Sequence, residues 1–160
     1  MSIVIREARP GDGPALYRLV RELADHHDEL DRVVSTPEAL EAGLCSPSER
    51  DGCLIAECDG EPVGFVYWYE IFTTFTDKPK LYMEDICVSS HARGTGAGFA
   101  LVKALAEICV ERGCPRFEWL AMQDNEAGQK FYSKLGAKVL HGADTWQLWG
   151  ADIKALAEKE

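Results

Sequence analysis

The chain has 160 residues, 46% hydrophobic and 28% charged, and a formal net charge of −10 from 27 acidic and 17 basic side chains. Its length predicts a single domain over residues 1–160, and its acidity speaks against a nucleic-acid partner, whose phosphates demand a basic face. No apolar run reaches the roughly eighteen residues of a membrane span, and "MSIVIREARP" lacks a charged segment followed by an apolar one, so neither membrane nor export is expected.

The first element, "SIVIREA", alternates as a strand does. In "GDGPALYRLVRELADHHDEL", Leu16, Leu19, Val20, Leu23 and Leu30 fall near helical spacing, with Asp12 or Gly13 at the start and Pro14 in the first turn. "STPEALEAG" predicts a short helix with Ser35 and Glu38 as a capping box. "CLIAEC", Asp59-Gly60 and "PVGFVYWYEIF" together predict a β-hairpin, Pro62 setting the second strand's start at an edge or bulge. "TTFTDKPK" reads as a loop and "LYMEDICV" as the next strand.

A glycine-rich turn, "HARGTGAG", leads into a helix whose stripe holds Leu101, Leu105, Ile108 and Cys109 and which stops at Gly113. "RFEWLAM" predicts a strand and "DNEAGQKFYSKLGA" a helix capped by Asp124 or Asn125 and ended at Gly136. "KVLHGADTWQLWG" predicts a closing hairpin, and residues 151–160 a terminal tail or short helix. The order of elements implies a mixed α/β (α+β) sheet covered by helices.

The six cysteines form no C-x-x-C and show no zinc spacing. They read as reduced thiols in a cytoplasmic protein, with no metal expected. Adjacent helical residues point about a hundred degrees apart, so His26 and His27 in "DHHDELD" cannot easily share one ion. That acidic stretch reads instead as the mouth of a substrate channel.

The glycine turn is neither of two common nucleotide loops. After Gly94 and Gly96 the third position of G-x-G-x-x-G is Phe99, and no Lys-Ser/Thr follows Gly98. Glycines between a strand and a helix still make an anion site, because the helix leaves its first N–H groups unpaired and carries partial positive charge there. Arg93 adds a fork donor suited to phosphate. A tight turn with no ligand is the alternative.

The turn and the later helix together resemble the GNAT N-acetyltransferase superfamily. Its R/Q-x-x-G-x-G/A loop is matched by Arg93, Gly96 and Gly98; its N-x-x-x-x-x-F-Y and L-G motif by Asn125, Phe131, Tyr132, Leu135 and Gly136. "LYMEDICV", "RELADHH" and "ADTWQL" are similar to the diamine acetyltransferase group within it. The resemblance implies a mostly antiparallel central sheet of about seven strands, flanked by helices and splayed at a central parallel pair. It implies acetyl-CoA as co-substrate, a small-molecule amine as acceptor, and a homodimer, for which "FVYWYEIF" supplies apolar surface.

It also implies roles for particular residues. Main-chain groups of Ile86, Cys87 and Val88 would pair with the pantetheine arm, and Arg93, Gly94, Thr95, Gly96, Ala97 and Gly98 would hold the pyrophosphate. Asn125 would fix the arm, and Lys130 or Lys134 could meet an outer phosphate. Glu84 would act as base and Asp85 would hold the cation, with His26, His27 and Asp144 as further acceptor contacts. Strand alternation points Glu84 and Asp85 to opposite faces unless a bulge intervenes. Tyr132 would be the general acid, its phenol near pKa 10 being comparable with the leaving thiol, and would also border the cofactor. Transfer to a protein lysine or N-terminus, and a non-catalytic acyl-CoA-binding module, are the competing readings.

Overall fold

Asp59 and Gly60 both take positive φ, 51° and 88°, the backbone that a two-residue hairpin needs to match right-twisted strands. They join β2 (Asp51–Cys58) to β3 (Glu61–Thr73), and the sheet grows outward from this hairpin. In the computed structural model, which describes residues 2–46 and 48–159, the strand order is β1-β2-β3-β4-β5. β1 (Ile3–Glu7), β2, β3 and β4 (Lys78–Val88) are antiparallel neighbours, and β5 (Phe117–Trp119) joins β4 in parallel. The helices are α1 (Gly13–His26), α2 (Pro37–Leu44), α3 (Ala97–Arg112), α4 (Glu126–Lys134) and α5 (Ala151–Ala157). The chain divides into two compact units, Met1–Leu120 and Ala121–Glu160.

In the first unit, α1 and α3 cover opposite faces of the sheet. Leu16 and Leu19 of α1 are fully buried against Cys53, Ile55, Phe65 and Cys87, with Tyr67 packed beside them. On the other face Leu101 and Leu105 of α3 are fully buried, and Arg112 lies over the Trp68 ring at 4.9 Å. Gly64 allows α3 to lie this close: a Cβ there would meet the Cys87 carbonyl at 2.8 Å and the Leu101 side chain at 3.4 Å. The bulge expected near Pro62 is present, because Ala56 pairs with Gly64 while Glu57 pairs with Pro62, leaving Val63 as the extra residue.

Several expected boundaries change. α1 ends at His26 rather than running to Leu30, because Asp28 takes the left-handed φ of 56° and the Glu29 N–H closes on the Ala24 carbonyl. The cap of α2 is Thr36, whose hydroxyl accepts from Ala39 N–H, in place of Ser35. The loop expected over residues 73–80 shrinks to a turn over 74–77, with β3 running to Thr73 and β4 starting at Lys78. β5 covers only Phe117–Trp119 of the expected 116–122. The described residues contain five strands, not about seven, since residues 138–150 form no hairpin. The second unit holds only α4 and α5 as regular elements, so no ladder partner is available there to complete a strand.

A buried ion cluster ties β1, β2 and the start of α1 together. Arg6 donates to both oxygens of Asp12 at 2.7 and 2.8 Å and to Glu57 at 2.6 Å, while Arg9 N–H also donates to Asp12. Asp12 is 6% exposed, and its bonds to Arg6 hold its carboxyl below the usual range despite burial. Because the folded pKa is depressed, this stabilisation is present above the ordinary carboxylate range and fades as pH falls through it. Asp12→Asn should therefore lower unfolding free energy by about 3 kcal/mol at neutral pH, the scale for breaking a buried charge pair. In urea titrations the gap to wild type should begin to close near about pH 4 and narrow further below it. A gap independent of pH would show that the ion pair is not its origin.

Candidate active site

β4 carries one residue more than β3 at a single point. Trp68 pairs with Met83 and Tyr67 with Asp85, so Glu84 is the bulged residue. The bulge resets the alternation of the strand. Tyr67 faces the α1 side, and Asp85 is its register partner there. Tyr69, two residues on, donates its hydroxyl to Glu84 Oε2 at 2.9 Å. Glu84 and Asp85 are thus both turned to the α1 face rather than to opposite faces.

Three tyrosines line the same face. The Tyr67 and Tyr69 rings lie 6.1 Å apart and those of Tyr69 and Tyr82 5.2 Å apart. Tyr67 donates to Asp51 at 3.3 Å. Burial first, then nearby carboxylates, push all three phenols above their ordinary pKa. Asp85 is also raised, by burial first and the Glu84 charge second, while His27 pulls it down. Acids beside aromatic faces make a place for a cation. His27, the C-cap of α1, is brought into electrostatic reach of Asp85, whereas His26 is exposed.

Beyond Met83, β4 pairs only with β3. Its ladder to β5 covers Leu81, Tyr82 and Met83, so the other edge of residues 84–88 carries no strand among the described residues of this unit. That edge runs through Ser89 and a 3-10 turn (Ser90–Ala92) into Arg93 and the glycines. Gly94 and Gly96 have φ of 82° and 92°, and no atom lies within 4 Å of a Cβ added at either. Gly96 is the N-cap of α3, whose hydrogen bonding begins with Ala100 N–H to the Gly96 carbonyl, after Ala97, Gly98 and Phe99. Thr95 closes the turn through Oγ1 on the Ala92 carbonyl at 2.7 Å. An open strand edge followed by open space over a helix N-terminus fits a ligand with an amide-bearing arm and a diphosphate.

The cysteines do not offer a nucleophile here. All six are free, and burial pushes the Cys87 and Cys53 thiols up to about 12 and Cys109 to about 11. The described residues contain no group of three or more His, Cys, Asp or Glu side chains placed to hold a metal ion. No helix among them is long and apolar enough to cross a membrane.

The second unit carries Asn125, Tyr132 and Asp144. Asn125 Oδ1 accepts from Gly128 N–H at 2.9 Å, capping α4. A side chain at Gly128 would meet Asn125 Nδ2 at 2.7 Å, so glycine there makes room for the cap. Tyr132 is partly buried, with the Phe131 ring at 5.4 Å, and burial raises its phenol. Asp144 is exposed in a stretch without regular structure. Sequence reasoning missed Asp51, Tyr67, Tyr69 and Tyr82. The i, i+2 spacing of Tyr67 and Tyr69 in "FVYWYEIF" was the available signal for one shared face.

The profile of the Acetyltransferase (GNAT) family matches residues 15–137. The thialysine N-epsilon-acetyltransferase of Sus scrofa is 34% identical over 98% of this chain and 96% of its own length. The spermidine/spermine N(1)-acetyltransferase-like protein 1 of Homo sapiens is 31% identical over 96% of this chain, which spans 23% of that protein. An integron cassette protein from the mobile metagenome of V. cholerae superposes with a TM-score of 0.82 at 26% identity, covering 99% of both chains. The chain belongs to the GNAT acetyltransferase family and is an N-acetyltransferase. Enzymes of that family use acetyl-CoA.

Asp85 generates a prediction about stability. An acid with a raised folded pKa binds its proton more tightly when native, so stability is lost as pH rises from the unfolded pKa to the folded one. Asp85→Asn should raise the melting temperature at neutral pH and lose that gain below about pH 4. A lower melting temperature at neutral pH would mean that the ionised carboxylate supports the fold.

Proposed function

We propose that the protein transfers an acetyl group from acetyl-CoA to a primary amine of a small cationic substrate, a diamine, polyamine or lysine analogue. The observation that carries the reading is the Glu84 bulge, which gathers two carboxylates and three tyrosines on one face of the strand leading into the glycine turn. The names of the relatives, which include thialysine and spermidine/spermine acetyltransferases, support the same acceptor class. In this reading the two units act as one domain, in the cytoplasm, and the protein works as a homodimer. Analytical ultracentrifugation should give a dimer; a monomer at every concentration would remove that part of the proposal without touching the chemistry.

Acetyl-CoA, when bound, supplies an acetyl thioester. Ile86, Cys87 and Val88 would hold its arm through main-chain groups, Arg93 through Gly98 its pyrophosphate, and Asn125 and Tyr132 would border it. An alkyl ammonium has a pKa of roughly 10 and must lose a proton before it can attack. Glu84, fixed by the Tyr69 hydroxyl, accepts that proton. Asp85 would hold the cation with His27, and His26 and Asp144 would be further acceptor contacts. Tyr132, a phenol whose pKa burial raises, would donate a proton to the departing sulfur.

Three variants separate these roles. Tyr132→Phe removes only a hydroxyl, and should reduce kcat about a hundredfold with acetyl-CoA affinity unchanged. Glu84→Gln should impair turnover most at neutral pH and recover as pH approaches the amine's own value of about 10. Asp85→Asn should mainly raise KM for the amine. Products are read by mass spectrometry of an amine panel with acetyl-CoA. Wild-type kcat/KM in both Tyr132→Phe and Glu84→Gln between about pH 6 and about pH 9 would sink the mechanism.

A further inference from the structure

Ser89 is the one described serine that is fully buried, and its hydroxyl is committed to α1. Its Oγ lies 2.8 Å from both carboxylate oxygens of Glu22, and Ser90 N–H donates to Glu22 Oε2 at 3.2 Å. Arg18, one turn back on α1, reaches Glu22 at 3.4 Å and donates to the Pro62 carbonyl at 2.8 Å. The His91 ring Nδ1 stands 2.9 Å from the same serine oxygen. A hydroxyl has one proton, and here it points to Glu22, so the histidine contact is donated by Nδ1–H.

The bonds continue into the glycine turn. Ser89 N–H donates to the Val63 carbonyl at 2.8 Å, and its own carbonyl accepts from Ala92 N–H at 2.9 Å. Arg93 N–H reaches the Ser90 carbonyl at 3.4 Å, and Thr95 closes on the Ala92 carbonyl through both N–H and Oγ1. Glu22 therefore fixes both residues from which the turn departs, using charge-assisted bonds. Their neighbours Gly94 and Gly96 have no side chains to hold them in place. Its carboxyl is held below the usual range by Ser89, Ser90 and Arg18, against the opposing effect of burial.

We infer that Glu22 is a positioning residue for the glycine turn, setting its affinity for the diphosphate of acetyl-CoA without contacting acetyl-CoA or the acceptor. The inference rests on the turn binding that diphosphate, as proposed above. It separates Glu22 from a residue that merely supports the fold. A fold-supporting residue would affect every acetyl donor alike, whereas a positioning residue of the turn acts only on donors that carry the diphosphate.

The test compares acetyl-CoA with S-acetylpantetheine, which keeps the thioester and the arm but lacks the diphosphate and nucleoside. Glu22→Gln should raise KM for acetyl-CoA about tenfold, the effect of weakening one charge-assisted hydrogen bond, with kcat nearly unchanged. KM for S-acetylpantetheine should stay at the wild-type value. Ser89→Ala, which removes the linking hydroxyl with little change in volume, should reproduce the pattern and stands in if Glu22→Gln does not fold. An equal loss with both donors, or none with either, would overturn the inference. CoA titrated into the wild-type protein by calorimetry separates the two levels. No binding there defeats the acetyl-CoA reading itself, whereas normal wild-type binding with unchanged affinity in both variants defeats only the role of Glu22.

Discussion

One extra residue in β4 sets the face on which the carboxylates of the candidate site lie. The bulge at Glu84 reverses the alternation of the strand, so that two consecutive carboxylates share the face that carries Tyr67, Tyr69 and Tyr82. At the same point the parallel ladder to β5 ends, with Met83 opposite Trp119 as its last pair. On one edge, the residues that follow pair with no strand among the described residues of this unit. A regular strand would have sent one acid to the α3 side, into a packed face that includes Leu81, Met83 and Trp68. Bulges commonly re-aim side chains, and here one falls where β5 ends and the parallel ladder stops.

α1 connects the two halves of the candidate site. Leu16 and Leu19 anchor it on the sheet, which fixes where its polar residues fall. Glu22 meets the entry to the glycine turn, and His27, at the end of the helix, comes within electrostatic reach of Asp85. One rigid helix thus spans the region assigned to the acetyl donor and the region assigned to the amine. A helix positioned by a buried apolar stripe holds such contacts more closely than a loop could, because its side chains share one set of backbone coordinates.

Local chemistry was legible in the sequence wherever a residue type has one backbone consequence. Asp59-Gly60 specified its hairpin, Gly113 ended α3 in the left-handed conformation, and the paired glycine and Phe-Tyr motifs identified the family. The face of Glu84 was not legible, because a bulge is a property of the register between two strands and neither strand encodes it alone. Residues 138–150 failed for a related reason. Their apolar residues are spaced as in strands, but spacing does not tell whether a partner strand is available. Ser89 gave no signal at all, since a serine after a strand usually faces solvent and only its contact with Glu22 explains its burial.

At Asp85, stability and the proposed recognition of the amine oppose each other. Burial and the neighbouring Glu84 charge make its ionised form unfavourable, and His27 offsets only part of that effect. A bound ammonium group would supply the missing positive charge, so cation binding and ionisation of Asp85 favour each other by linkage. A neutral ligand of the same shape would leave the penalty in place. If Asp85 binds the amine as proposed, discrimination for charged amines does not require a contact tailored to each substrate. It would follow from keeping a carboxylate partly buried beside a second one, an arrangement that disfavours its ionised form until a cation is bound.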